Sequence, residues 1–217
     1  MKKTIILLVT LCISFSTFSQ KDIKEGMLVI TQKMSSDNEQ MNAQISMMGE
    51  MITKTYFKND KSRTEISSPM TGDMIVITDG EANEMITFMD NPMLGKKYIK
   101  GSLDISQEQK DMITVKKGDK TKTVLGYLCQ QYFVSTSMGG QGMEMEVFAT
   151  DAITAYSQQT ANFSSELKGF PLYMTMTMNQ MDANIMITSE VTEIKEKIIE
   201  DAKFSMSILD GYDEMKQ

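Results

Sequence analysis

Two stretches of the chain alternate residue by residue in a way a helix cannot exploit. In GMEMEVFAT, Met143, Met145 and Val147 fall on one side and Glu144 and Glu146 on the other; in PLYMTMTMNQ, Met174, Met176 and Met178 oppose Tyr173, Thr175 and Thr177. Side chains of an extended strand point alternately to opposite faces, so a period of two gathers each set onto one surface. If the two glutamates face water, the methionines beside them face inward. Isolated pairs of strands are marginal in water, so segments of this kind need a larger sheet with one face buried.

The rest of the chain supplies such a sheet. GMLVITQKM is rich in β-formers and is followed by a polar break, SSDNEQ. In ITKTYFKND, Thr53, Thr55 and Phe57 alternate against Ile52, Lys54, Tyr56 and Lys58, and Asn59-Asp60 leads into KSRTEISS as a hairpin turn. Asp79-Gly80, the stronger turn signal, joins MIVITDG to EMITFMDN. Further strand segments are KKYIKGS, MITVKKG, TVLGYLCQQYFVST and ANIMITSEVTEIKEK. Two helices are expected: a short one in DISQEQKDMI with Ser102 as N-cap, and one over residues 151–167 with Thr150 as N-cap, ended by Gly169 and Pro171. No internal repeat or linker interrupts the series. The predicted fold is mainly β (α+β): a single curved antiparallel sheet or unclosed half-barrel packed over one to three helices.

The N-terminus has a different character. Lys2 and Lys3 precede an apolar run from Ile5 to Phe15, and Thr17 and Ser19 stand at the −3 and −1 positions of a cleavage site before Gln20. This is the layout of a secretory signal peptide over residues 1–19, leaving residues 20–217 as one β-domain. The run is shorter than the roughly 20 apolar residues of a membrane-spanning helix, and no later segment is long and apolar enough, so no transmembrane segment is expected. The expected location is periplasmic or secreted, with the mature domain soluble. Cys12 follows Leu11 inside the apolar run and is expected to leave with the signal. Cys129 then stands alone in an oxidising compartment, where it reads as a small buried hydrophobe.

The segments KTYFKNDKSRTEI, VITDGEANEMITFMD, GYLCQQYFV, GFPLYM and FSMSILDGYDEM resemble, in order and spacing, exported envelope proteins of unknown function with the fold of the lipoprotein carriers LolA and LolB. The resemblance covers most of the mature chain through short, non-catalytic motifs. It implies a LolA-like half-barrel wrapped over helices, with residues 151–167 as a covering helix and an apolar cavity able to hold acyl chains. No residue here matches a lipid-handling position of that family, and a methionine-rich lining departs from its pattern.

Composition removes several classes of chemistry. The chain contains no histidine, which excludes Ser-His-Asp and Cys-His nucleophile pairs, imidazole acid–base catalysis and histidine-based zinc sites. No phosphate-cradling glycine motif is present, and TDGEANE departs from the calcium-loop pattern. No spacing singles out a carboxylate pair for glycoside chemistry. The chain is therefore read as non-enzymatic and without a cofactor. Without Lys2 and Lys3, 20 basic residues stand against 29 acidic ones, a balance that repels nucleic acid and anionic membranes.

The methionines carry the functional question. Flexible, polarizable thioethers line surfaces that re-pack around ligands of different shape. The expected site is a pocket for a hydrophobic small molecule or lipid, lined from Met143, Met145, Val147, Met174, Met176 and Met178. The alternatives are an ordinary methionine-filled core, a thioether site for Cu(I), which needs no deprotonated ligand, and an interaction surface for another envelope protein. A single strand spreads its sulfurs apart, so the Cu(I) reading requires a neighbouring strand, or the cluster Met47, Met48 and Met51.

Overall fold

The computed structural model describes residues 22–68, 72–138, 141–155, 163, 167–180 and 183–215. Its strands are β1 (Glu25–Ser36), β2 (Met51–Lys58), β3 (Lys61–Ser68), β4 (Gly72–Asp79), β5 (Glu84–Asn91), β6 (Gly95–Ser102), β7 (Ile113–Val124), β8 (Tyr127–Met138), β9 (Gln141–Thr150), β10 (Phe170–Gln180), β11 (Ala183–Glu196) and β12 (Asp213–Glu214). All join one twelve-stranded sheet in the order β12-β6-β5-β4-β3-β2-β1-β11-β10-β9-β8-β7. Neighbours run antiparallel except the short β12, which is parallel to β6. The sheet is unclosed, and the architecture is mainly β.

The topology is two meanders back to back. β1 to β6 step away from β1 in one direction, and β7 to β11 return from the far edge until β11 pairs with β1. Residues 103–112 must therefore connect nearly opposite edges of the sheet. Ten strand spacings separate β6 from β7, about 48 Å if flat. The connection, which includes a five-residue helix, spans at most roughly 30 Å. A flat sheet is thus impossible, and the accumulated twist of twelve strands is taken up as curl.

Among the described residues there are two α-helices, α1 (Glu39–Met48) and α2 (Gln107–Asp111), and a 3-10 turn at Asp201–Phe204. The polar break after β1 is in fact the start of α1: Asn38 Oδ1 accepts from the Met41 backbone N–H. α2 is capped by Ser106, not by Ser102, which is the last residue of β6; Ser106 and Gln109 form a reciprocal capping box. Thr150 closes β9, and 151–155 is turn and an isolated bridge pairing Ile153 with Ile23. Of the remainder of the helix expected over 151–167, only 163 and 167 belong to the described residues, both as bends.

Three apolar clusters hold the sheet. At one end Ile23, Leu28, Phe57, Cys129, Phe148, Ile153, Phe170 and Leu172 close around the Ile23–Ile153 bridge. On one face of β7 to β10, Val115, Tyr132, Val134, Met145, Val147 and Met174 pack with Leu167 and Phe163. On the other face of β4 to β6, Ile77, Ile86, Phe88 and Tyr98 are covered by Ile199, Phe204, Met206 and Tyr212 of the C-terminal segment. The edge strand β7 carries Lys116, Lys117, Lys120 and Lys122, charges that discourage another chain from pairing there.

Candidate ligand-binding hollow

The alternation in β2 sets the floor of the site. Thr53, Thr55 and Phe57 point to one side and are buried, while Lys54 is exposed on the other. Antiparallel register carries that side across the hairpins: Thr53 faces Ile66, Thr55 faces Thr64 and Phe57 faces Ser62. β4 continues it, with Met74, Val76 and Thr78 opposite Ile66, Thr64 and Ser62. In the other direction Ile30 and Gln32 of β1 adjoin Val191 and Ser189 of β11, and Ser189 adjoins Met174 of β10.

These side chains enclose a hollow of about 290 Å³. It is touched by both β4 and β10, which lie five spacings apart, so this face is the concave one. Hydroxyls line the floor and aliphatic groups the walls. Thr55 and Thr64 hydroxyls lie 3.1 Å apart, and those of Ser62 and Thr78 lie 2.7 Å apart in a buried pair. Ile30, Ile66, Val76, Leu172, Met174 and Val191 supply apolar surface, and no lining residue carries a charge.

A second hollow of about 300 Å³ adjoins the first through Ile66 and Met74, and adds Met51, Met89, Leu94 and Met215. Its two charged residues are engaged: Asp73 accepts from the Ser67 hydroxyl at 2.6 Å, and Lys97 pairs with Asp213 at 3.2 Å.

The six residues expected from sequence share the concave face. Register sets Met143 against Met178, Met145 against Met176 and Val147 against Met174. Met174 lines the hollow, whereas Met145 and Val147 are buried in the cluster with Leu167, where Met176 packs against them. Met143 and Met178 are half-buried at the far end of the same strands. Next to Met143 in the register is Thr136, only 6% exposed, whose hydroxyl is the one buried side-chain polar atom among the described residues without a hydrogen-bond partner. Of the other methionines named for a thioether cluster, Met47 and Met48 are exposed on α1 and Met51 lines the second hollow. Sequence reasoning did not single out the hydroxyl floor, although the Thr53, Thr55, Phe57 alternation was its signal.

Among the described residues no three His, Cys, Asp or Glu side chains group so as to hold a metal ion. Cys129 is fully buried, and burial pushes its thiol up to about 11, which leaves it protonated and inert at neutral pH.

Fold and hollow together define a class: a mainly β protein built on a single unclosed sheet with an uncharged cavity on its concave face. Two solved structures of PNGF-II, in the C2 and P21 space groups, are similar to this chain at 15% identity, with TM-scores of 0.50 and 0.49. The match covers 88% of this chain and 31% and 32% of those chains, so the chain spans about a third of their length. The likeness concerns the fold alone. No protein-family model and no curated protein sequence matches. No helix among the described residues is long and apolar enough to cross a membrane.

Proposed function

We propose that this chain is an exported, non-enzymatic binding or carrier protein for a hydrophobic ligand, a lipid or acyl chain, in the cell envelope, with a half-barrel body of the LolA type. The observation that carries this reading is the contrast within one face: β7 to β9 bury Val115, Val134, Met145 and Val147 there, while β1 to β4, β10 and β11 border an open hollow of uncharged residues. Two adjoining hollows at the lower end of the range for small-molecule sites give an extended chain a path across the strands. Methionines along that path, Met174, Met74, Met89, Met51 and Met215, supply an adaptable lining. Native mass spectrometry of the protein purified from an envelope fraction, with uptake of a fluorescent acyl ester, tests the proposal. A co-purifying lipid or saturable uptake supports it; a protein that is always empty and takes up no probe refutes it.

The cross-strand register supports a second reading, a Cu(I) site. Directly opposed residues have Cβ atoms about 5 Å apart, so Met143, Met145, Met176 and Met178 form a block of four thioethers across two strands, the convergence a single strand lacks. Titration with Cu(I) against a competing chelator tests it: tight one-to-one binding lost in Met143→Leu and Met178→Leu supports the site, and weak binding unaffected by both removes it.

A further inference from the structure

The polarity of the hollow specifies more than an apolar occupant. We infer that the part of the ligand held in it is electrically neutral and carries hydrogen-bonding oxygens within its apolar length, as an acylglycerol ester does, and is not a fatty-acid anion. This deepens the carrier reading and rests on it.

Charge is the first constraint on the occupant. Every side chain lining the first hollow is neutral, and in the second Asp73 and Lys97 already have partners in Ser67 and Asp213. A carboxylate drawn into the hollow would lose water and meet no cation, and an ionised group buried without a partner is strongly disfavoured. The acidic balance of the chain, with net charge −7, adds repulsion.

The hydroxyls make the complementary demand. Thr53, Thr55, Ser62 and Thr78 are buried, and with Thr64 and Ser189 they put six hydroxyls on the lining. A hydroxyl pair such as Thr55–Thr64 or Ser62–Thr78 holds two hydrogens and uses one between its oxygens, so each pair retains a donor. A plain hydrocarbon would leave those donors without a partner, whereas an ester carbonyl accepts from them. Gln32, beside Ser189, adds an amide that donates and accepts. Apolar groups on either side, Leu172 and Val191 on one wall and Ile66 and Val76 on the other, leave room for chain to continue past the polar centre.

Calorimetric titration at pH 8 of the full mature protein with 1-dodecanoylglycerol and with dodecanoate tests this at equal chain length. The expected result is at least about 100-fold tighter binding of the ester, the discrimination that an unpaired buried charge imposes. Thr64→Lys, which brings a cation to the floor, should reverse the order. Equal affinities, or tighter binding of dodecanoate by the wild-type protein, overturn the inference while leaving the carrier reading intact. Binding of neither compound overturns both.

Discussion

Replacing a valine by phenylalanine at two positions of the same concave face separates a hollow from a filled core. Val147 is fully buried among Tyr132, Met145, Leu167 and Met174. Overpacking there should cost about 1 to 3 kcal/mol, lowering the melting temperature by about 2 to 12 °C in a chain of this size. Val76 sits between Thr64 and Thr87 on β4 and borders the 290 Å³ hollow. Its added ring enters open space and buries apolar surface of its own, and valine and phenylalanine are both good strand formers. Val76→Phe should therefore change stability by less than about 0.5 kcal/mol, while weakening acyl-ester binding tenfold or more by occupying the site. Urea unfolding followed by circular dichroism gives the first quantity, and titration with 1-dodecanoylglycerol the second. If Val76→Phe destabilises as much as Val147→Phe, the concave face is packed throughout and the reasoning fails.

Three further outcomes follow from particular contacts. Burial alone would raise the Glu65 carboxyl, but hydrogen bonds from Arg63 at 2.7 Å and Lys203 at 3.0 Å outweigh it and hold the pKa below its ordinary value. Asp79 is depressed in the same way: burial is outweighed by the Ala82 backbone N–H and by Lys61. A depressed folded-state pKa contributes stability that is complete above the unfolded value, about 4, and is lost as pH falls through the folded one. Glu65→Gln should thus lower the urea midpoint at pH 7, with the gap to wild type narrowing below about pH 4; a gap independent of pH contradicts this. Cys129, its thiol raised to about 11 by burial, should resist a thiol reagent at pH 8 in the native state and react fully in urea. Rapid native labelling would show that the first core cluster opens readily. Gly169 has φ +86°, and a Cβ there would lie 2.1 Å from the Thr150 carbonyl oxygen. Gly169→Ala should cost at least about 2 kcal/mol in urea unfolding, and a neutral result would refute that close approach.

The strands were legible because alternation is a local property. The hairpins at Asn59-Asp60 and Asp79-Gly80 and the alternation of Thr53, Thr55 and Phe57 against Ile52, Lys54, Tyr56 and Lys58 needed only neighbouring residues, whereas which of the two sets is buried did not follow from them. α1 was hidden because Ile45 is its one buried residue, so it lacks an apolar stripe, and its cap, Asn38, lies within a polar run that also reads as a turn. Ser106 and Gln109 carried the S-x-x-Q capping-box signal outright, and Ser102 was the weaker choice. Met174, Met145 and Val147 were recognisable as one face, but which part of that face is open depends on β4 and β10 approaching each other across five strand spacings. No local pattern encodes that approach. The topology does, through the short connection from β6 to β7.

The most direct test of the central claim is to place the ligand. A monoacylglycerol bearing a photoactivatable diazirine midway along its chain, irradiated with the protein and mapped by peptide mass spectrometry, should label β1 to β4 and β10, with modification at or beside Met74, Val76, Leu172 and Met174, suppressed by excess 1-dodecanoylglycerol. Labelling confined to exposed apolar residues such as Met47, Met93 and Ile198, or unaffected by competitor, would contradict the account.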